Sequence, residues 1–150
     1  MPGAWTQNFY HMVFSTKDRL ELISPDLEAR LYPFLGGILR DLRCTPIAIN
    51  GMPDHVHILA RYPSDLSHSR MLQHVKGRSS KWVHETFPHL RSFNWQEGYG
   101  GFTVSKSMVE TVAAYIARQK EHHRTQDFRS EFLELLRKHE IEFDEAEVFK

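Results

Sequence analysis

Short segments rich in apolar and β-branched residues alternate along the chain with longer amphipathic segments. The short segments predict strands at 9–15, 45–50 and 55–61, and one or two more strands between 93 and 104. A turn at 51–54 predicts that the second and third strands pair as an antiparallel hairpin.

Helices are predicted where apolar residues recur every three or four positions. The predicted helices cover about 25–43, 64–87, 108–123 and 127–139. Ser24 is suited to cap the first helix, and Ser107, with Glu110 three residues later, is suited to cap the third. Pro33 and the pair Gly36-Gly37 raise the cost of a regular first helix, so we expect a kink or a loosened turn there.

The order strand, helix, strand, strand, helix, strand is that of the split βαβ, or ferredoxin-like, arrangement. We therefore expect an α+β fold, with helices on one face of an antiparallel sheet and added C-terminal helices. The other face is expected to be open, so that a site or a partner must cover it. The chain is interpreted as one domain, 1–150, in which about 127–150 form an acidic helical tail.

Composition limits the classes of function. The lone Cys44 excludes an internal disulfide and a thiolate zinc site. No apolar run is long enough for a membrane span and the N-terminus lacks a signal-peptide pattern, so we expect a cytoplasmic protein with no membrane partner. The formal net charge is zero, but residues 131–150 hold 7 acidic and 3 basic side chains, against 12 and 16 in the rest of the chain. The mildly basic body is compatible with phosphate contacts.

Two histidines lie two residues apart on the third predicted strand. Because side chains alternate along a strand, His55 and His57 point to one sheet face, and Val56 and Ile58 point to the face that the helices cover. The two imidazoles are then close enough to bind one metal ion. Taken alone, such a pair is more often a polar surface pair than a metal site. The adjacent Asp54 is suited to orient an imidazole, or simply to form the turn.

Tyr115 and Gln119 lie four residues apart, and hence on one face, in the helix predicted at 108–123. Taken alone, a packed tyrosine beside a solvated glutamine is the plainer interpretation of this pair. With the histidines, however, the pair completes a set that can cleave a phosphodiester. Tyr115 supplies the nucleophile, while His55, His57 and Gln119 supply three neutral ligands for a divalent metal that polarises the phosphorus. The product is a phosphotyrosine, whose ester conserves the energy needed to reseal the strand.

Several short motifs follow one another along nearly the whole chain. They are Ser15-Thr16-Lys17, Asn50-Gly51-Met52-Pro53-Asp54-His55-Val56-His57, Lys76-Gly77-Arg78-Ser79-Ser80, Trp95-Gln96-Glu97-Gly98-Tyr99-Gly100, Tyr115-Ile116-Ala117-Arg118-Gln119, His122-His123, and the tail from Leu136 to Phe143. In this order the motifs resemble the single-tyrosine HUH transposases of bacterial single-strand insertion sequences, the transposase A type of the insertion sequence 200/605-like family.

The resemblance implies a ferredoxin-like domain, a divalent metal such as Mg²⁺ or Mn²⁺, and a 5′-phosphotyrosine intermediate. It also implies that the substrate is single-stranded DNA with hairpins near the element ends. A further implication is a homodimer in which the tyrosine helix of one chain completes the histidine site of the other.

Cations on the second predicted helix are candidate contacts to the DNA backbone, although a solvated helix face accounts for them equally well. These cations are Arg70, Lys76, Arg78 and Lys81. His122 and His123 lie one turn beyond Gln119 and are further candidate ligands, but they are left out of the predicted ligand set. Two other classes of function stay open: a noncatalytic nucleic-acid-binding domain, and a metal-dependent phosphohydrolase that activates water and does not need Tyr115.

Overall fold

A computed structural model of the chain describes residues 3–150. The strands are β1 (Asn8–Ser15), β2 (Thr45–Met52), β3 (His55–Tyr62) and β4 (Gly100–Val104). The helices are α1 (Pro25–Asp41), α2 (His68–Thr86), α3 (Val109–Ala117), α4 (Gln119–His122) and α5 (Phe128–Lys138). The strands form one sheet in the order β2-β3-β1-β4, and every neighbouring pair is antiparallel. The predicted α+β, ferredoxin-like fold is confirmed.

α1 is one continuous helix that includes Pro33, so the chain does not leave the helix at Pro33 or at Gly36-Gly37. The Ser24 hydroxyl accepts a hydrogen bond from the Leu27 amide, and Pro25 takes the first helical position, as the sequence predicts. A row of buried leucines holds the helix on the sheet. Because this packing outweighs local propensity, the helix continues through Pro33 and Gly36-Gly37.

α1 and α2 cover one face of the sheet, where they form the larger core with Val56 and Ile58 of β3. This confirms the predicted alternation along β3. The sequence predicts that the opposite face is open, and this prediction is wrong. α3 and α5 of the same chain cover that face. Leu59 of β3 packs there against Ile116 of α3, and Phe102 of β4 packs in the cluster formed with α5. The histidine face of β3 therefore lies inside a second, enclosed layer.

The helix predicted at 108–123 is interrupted at Arg118 and forms two helices, α3 and α4. Arg118 has φ −97° and ψ 18°, which lie outside the regular helical range. The side-chain amide of Asn50, on β2, donates to the carbonyl oxygens of Ile116 (2.9 Å) and Ala117 (3.3 Å). Asn50 thus provides hydrogen bonds to carbonyl groups at the end of α3. Because Asn50 lies on β2, the sequence around Arg118 does not indicate that the helix ends there.

The N-terminus of α3 also differs from the prediction. A single 3-10 turn, Lys106–Met108, precedes α3, and no side chain caps the helix. The Ser107 hydroxyl lies 3.1 Å from the Ser105 hydroxyl instead of accepting from an amide of α3. The predicted capping box with Glu110 is therefore wrong.

α5 confirms the final amphipathic helix predicted at 127–139. Beyond Lys138 the chain is not helical, so only the first part of the predicted acidic tail is a helix. The last residues fold back, and Phe143 and Phe149 pack against the cluster that α5 forms with the sheet. None of the helices within residues 3–150 is both long enough and apolar enough to cross a membrane.

Candidate functional site

The β3 histidines lie in the middle of a buried polar cluster. His55 and His57 are both 0% exposed, so they are not a surface pair. Their Nε2 atoms converge on one carboxylate oxygen, Oε1 of Glu131, at 3.2 Å from His55 and 3.0 Å from His57. The Nε2 atoms of the two imidazoles therefore point toward one position, as the spacing along the strand predicts.

Each of these histidines is oriented by a polar group behind it. Nδ1 of His55 lies 2.7 Å from Oδ1 of Asp54, and Nδ1 of His57 lies 2.8 Å from Nε2 of His11 on β1. With a hydrogen on each Nδ1, the Nε2 lone pairs point into the cluster, which is the form that binds a metal. Asp54 thus orients His55 in addition to forming the turn between β2 and β3.

Glu131 of α5 occupies the centre of the cluster and is only 1% exposed. Besides the β3 histidines, its Oε1 lies 3.0 Å from Nε2 of His123. Its Oε2 accepts hydrogen bonds from the Tyr115 hydroxyl and from the Gln119 amide nitrogen, the latter at 2.9 Å. One carboxylate therefore links the histidines to the tyrosine.

The structure brings the four predicted active-site residues together within one chain. The ring centroid of Tyr115 is 5.9 Å from that of His57. Oε1 of Gln119, whose side chain is fully buried, lies 3.1 Å from Nε2 of His55. Tyr115 and Gln119 thus converge on the same cluster even though Arg118 separates their helices.

Sequence reasoning missed Glu131 and left out His123. An acidic residue near a charged terminus normally faces solvent, so the pattern assigns Glu131 to the acidic tail. Its position carried a signal, since it lies three residues after Phe128 and one before Phe132, on the buried face of α5. The sequence indicated His123 only as a further candidate one turn beyond Gln119, and its placement in the structure depends on the interruption at Arg118.

Burial and pairing set the charges in the cluster. Burial lowers the pKa of His57 to about 4, and burial and His57 lower the pKa of His11 to about 3, so both are neutral at pH 7. Burial disfavours the charged form of His55, but its hydrogen bonds to Asp54 and Glu131 raise its pKa overall. Burial also disfavours ionised Glu131, yet its three histidine contacts lower its pKa. Burial and the contact with Glu131 raise the pKa of Tyr115, so the phenol keeps its proton.

The cluster has the ligand types and the spacing of a metal site. Ligand atoms of His55, His57, His123 and Glu131 all lie within 4.8 Å of one another. Each of the three Nε2 atoms is 3.0–3.2 Å from the same carboxylate oxygen. Such spacing is what neighbouring ligands adopt around an ion with bonds of about 2.1 Å. With the Gln119 amide oxygen beside His55, the residues present fit a divalent metal.

The cations predicted to contact DNA do not surround this cluster. α2 packs on the opposite face of the sheet, so its outer side points away from the histidines. Nζ of Lys76 donates to the backbone oxygens of Gln96 and Gly98, each at 2.8 Å, and burial lowers its pKa to about 8. Lys76 therefore binds the loop that precedes β4 to α2 through these hydrogen bonds.

Arg70, Arg78 and Lys81 line an open groove of about 710 Å³ along the outer side of α2. Arg78 also pairs with Asp41 at 2.6 Å. These cations lie away from the histidine face, because the apolar stripe of α2 packs on the other face of the sheet. Their contact with a DNA backbone stays a prediction, and it would occur on the side opposite to the cluster.

Gly51 of β2 lies tightly against the start of β3. A Cβ atom at Gly51 would lie 2.1 Å from the carbonyl oxygen of His55 and 2.9 Å from Cα of Val56. We expect Gly51→Ala to displace β3 at His55 and to lower the free energy of unfolding, measured in urea, by about 1–3 kcal/mol. Gly37→Ala is the control, because its Cβ meets nothing within 4 Å, and it should raise stability by up to about 1 kcal/mol. If the two substitutions changed the free energy of unfolding equally, the close approach of Gly51 to the backbone of β3 would be contradicted.

Known proteins are similar to this chain in sequence and in fold. A family model described as "Transposase IS200 like" matches residues 4–119. The transposase for insertion sequence element IS200 of Salmonella typhimurium is 30% identical over 122 residues, which cover 75% of this chain and 76% of that protein. The ISDra2 transposase TnpA of Deinococcus radiodurans is 24% identical over 115 residues, which cover 73% and 82%.

Solved structures agree with this assignment. The crystal structure of a candidate transposase from Deinococcus radiodurans R1 has a TM-score of 0.67 and 25% identity, covering 79% of this chain and 95% of that one. A REP-associated tyrosine transposase, solved bound to a REP hairpin, has the same fold, with a TM-score of 0.61 and 15% identity over 82% and 73%. The family match includes His55, His57, Tyr115 and Gln119. The chain therefore belongs to the IS200-like transposase family.

Proposed function

We propose that this protein is a metal-dependent transposase that cleaves and rejoins single-stranded DNA at the ends of an insertion sequence, with Tyr115 as the covalent nucleophile. One observation carries the proposal: the Tyr115 hydroxyl and the metal-binding atoms of His55, His57 and Gln119 converge in a single cluster. This arrangement places a nucleophile beside side chains that would hold an ion able to polarise the phosphorus, which is what attack on a phosphodiester requires.

A cavity of about 350 Å³ beside the cluster gives DNA a route to Tyr115. Its walls come from β1, β4, α3, α4 and α5, and they include Tyr115, His122 and Glu131. Lys138 also lines the cavity, beside the carboxylates of Glu131 and Glu134, and is the cation there that would contact a phosphate. A phosphodiester that enters from this side reaches the hydroxyl of Tyr115.

His55, His57 and Gln119 would hold a divalent ion, Mg²⁺ or Mn²⁺. When bound, the ion polarises the phosphorus and offsets the charge that develops on the phosphate oxygens. Two neutral imidazoles and an amide oxygen add no negative charge of their own, so the ion keeps its full attraction for the phosphate. The low pKa of His57, which burial causes, keeps that imidazole in its ligand form.

In the cleavage step, the Tyr115 oxygen forms a bond to phosphorus while the bond between phosphorus and the upstream 3′ oxygen breaks. The phenol proton passes to Oε2 of Glu131, the acceptor that the hydroxyl contacts. The departing 3′ oxygen takes up a proton from water and becomes a hydroxyl. The downstream strand stays attached to Tyr115 through its 5′ phosphate, and attack by a 3′ hydroxyl on this ester rejoins the strands without ATP.

The related transposase that was solved with a REP hairpin supports hairpin-bearing DNA as the substrate. The homodimer with shared active sites stays a prediction. The Tyr115 ring lies beside His57 of its own chain, so one chain contains every group that the step requires.

An end-labelling experiment tests the proposed function. Single-stranded DNA that carries the hairpin-forming sequence beside the gene is incubated with the protein and Mn²⁺, and the products are separated under denaturing conditions. Label at the 3′ end should migrate with the protein, and label at the 5′ end should appear on a shorter free strand. Cleavage with no adduct would indicate the phosphohydrolase instead, and binding with no cleavage would indicate the noncatalytic domain.

A further inference from the structure

We propose that His123 and Glu131 are metal ligands together with His55 and His57, and that the resulting centre binds a first-row transition ion such as Mn²⁺ or Zn²⁺ in preference to Mg²⁺. The inference rests on the proposed function, because it concerns the same metal. It adds two ligands beyond residue 119, where the match to the family model ends.

Hydrogen bonds alone do not account for the contacts around Glu131. Its Oε1 has three ring nitrogens around it, at 3.0 Å from His57, 3.0 Å from His123 and 3.2 Å from His55. Nε2 of His55 also faces a second acceptor, Oε1 of Gln119, at 3.1 Å. A single N–H cannot serve both acceptors well, and one oxygen has only two lone pairs for three donors. An ion at this point would satisfy every lone pair at once.

The groups behind the ligands are arranged for metal binding. Asp54 and His11 engage the Nδ1 atoms of His55 and His57 and leave both Nε2 atoms free to coordinate. A buried carboxylate is costly unless a positive charge compensates it. Glu131 is 1% exposed and its Oε1 lies 3.0–3.2 Å from three Nε2 atoms, so an ion held between these atoms would supply that compensation.

Packing holds Glu131 in place. Phe128 and Phe132, on either side of it in α5, are buried against Val13 and Phe102 of the sheet. His123 follows α4 directly, and its side chain is 4% exposed. The interruption at Arg118 and the docking of α5 therefore bring the two C-terminal ligands to β3.

The donor set determines which ion is preferred. Mg²⁺ favours six oxygen ligands and loses its water reluctantly, whereas imidazole suits transition ions. Three imidazole nitrogens and one carboxylate oxygen therefore favour Mn²⁺ or Zn²⁺. The carboxylate also reduces the net charge of the loaded centre from two to one.

Metal binding by the full chain tests the assignment without reference to activity. Protein stripped with EDTA is titrated with Mn²⁺, Zn²⁺ and Mg²⁺ by calorimetry, and bound Mn²⁺ is followed by its electron paramagnetic resonance. We expect one Mn²⁺ per chain and no displacement of it by an excess of Mg²⁺. His123→Ala and Glu131→Gln should each weaken Mn²⁺ binding by about 10–100-fold or more.

Two substitutions close to the ligands serve as controls. Arg124→Ala changes the exposed residue that follows His123, and Glu134→Gln changes an exposed carboxylate one turn from Glu131. Both should bind Mn²⁺ as the unchanged protein does. Circular dichroism in EDTA shows whether each variant folds, and if Glu131→Gln does not fold, His123→Ala decides alone.

Different metal-binding results would contradict the added ligands and the proposed function. If His123→Ala binds Mn²⁺ with full affinity while His55→Ala does not, the added ligands are wrong and the proposed metal site stands. Displacement of Mn²⁺ by Mg²⁺ at comparable concentration would overturn the preference. If the unchanged protein binds no divalent ion, both the inference and the metal in the proposed function are wrong.

Discussion

Tyr115→Phe should abolish both cleavage and the covalent protein–DNA adduct, with a loss of at least about a thousandfold in rate. The substitution keeps the aromatic ring, which is partly buried beside His57. It removes only the hydroxyl that contacts Glu131, whose Oε2 still accepts from the Gln119 amide. We therefore expect stability to fall by only about 1 kcal/mol. The measurement is the amount of adduct and of cleaved strand on a denaturing gel.

Tyr99→Phe is the matched control, because Tyr99 is 43% exposed and does not line the cavity beside Tyr115. It should cleave DNA at the unchanged rate. Cleavage by the Tyr115→Phe protein without an adduct would indicate that water is the nucleophile, as in the phosphohydrolase alternative. An adduct that persists in this variant would show that another residue attacks the phosphorus.

His55→Ala should reduce cleavage by at least about a hundredfold while hairpin binding is largely retained. The substitution removes one metal-binding nitrogen and leaves Asp54 without its 2.7 Å contact. Hairpin binding should depend on phosphate contacts outside the cluster, since His55 is fully buried. Gel-shift and cleavage assays on one preparation separate the two effects.

His89→Ala is the control for this experiment, because His89 is exposed in a 3-10 turn after α2. It should leave both cleavage and binding unchanged. Cleavage by a folded His55→Ala protein at the rate of the control would show that the histidine pair does not hold a catalytic metal. Loss of hairpin binding together with cleavage would show instead that His55 supports the DNA-binding surface.

Periodicity was sufficient to predict the central part of the site. Alternation along β3 places His55 and His57 on one face, because a strand turns every second side chain to the same side. The helical pattern places Tyr115 and Gln119 near each other, and the structure brings both to the histidines. The histidine prediction depends on the geometry of one strand, whereas Tyr115 and Gln119 reach the histidines even though Arg118 separates α3 from α4.

The parts that sequence reasoning did not predict depend on contacts between elements. Asn50 satisfies the last carbonyls of α3, and the helix therefore ends at a position where local propensity favours its continuation. Glu131 is buried because the phenylalanines of α5 dock on the sheet, and docking is not visible in the charge pattern of one helix. The cations of α2 lie away from the cluster because the apolar face of that helix docks on the other side of the sheet. The positions of the charges in the sequence do not show on which side a helix docks.

The enclosure of the second sheet face also brings the C-terminal region to the candidate site. Residues beyond 119 supply His123 and Glu131 to the cluster and Lys138 to the cavity that leads to Tyr115. In this chain, therefore, the segment that extends past the family match contributes directly to the site rather than forming a solvated tail.

The identity of the residue that carries the DNA tests the central claim most directly. The adduct formed with Mn²⁺ is digested with a protease and a nuclease, and the modified peptide is sequenced by mass spectrometry. We predict a 5′-phosphate-linked nucleotide on Tyr115 in the peptide that contains α3. A nucleotide attached to any other residue would contradict the account.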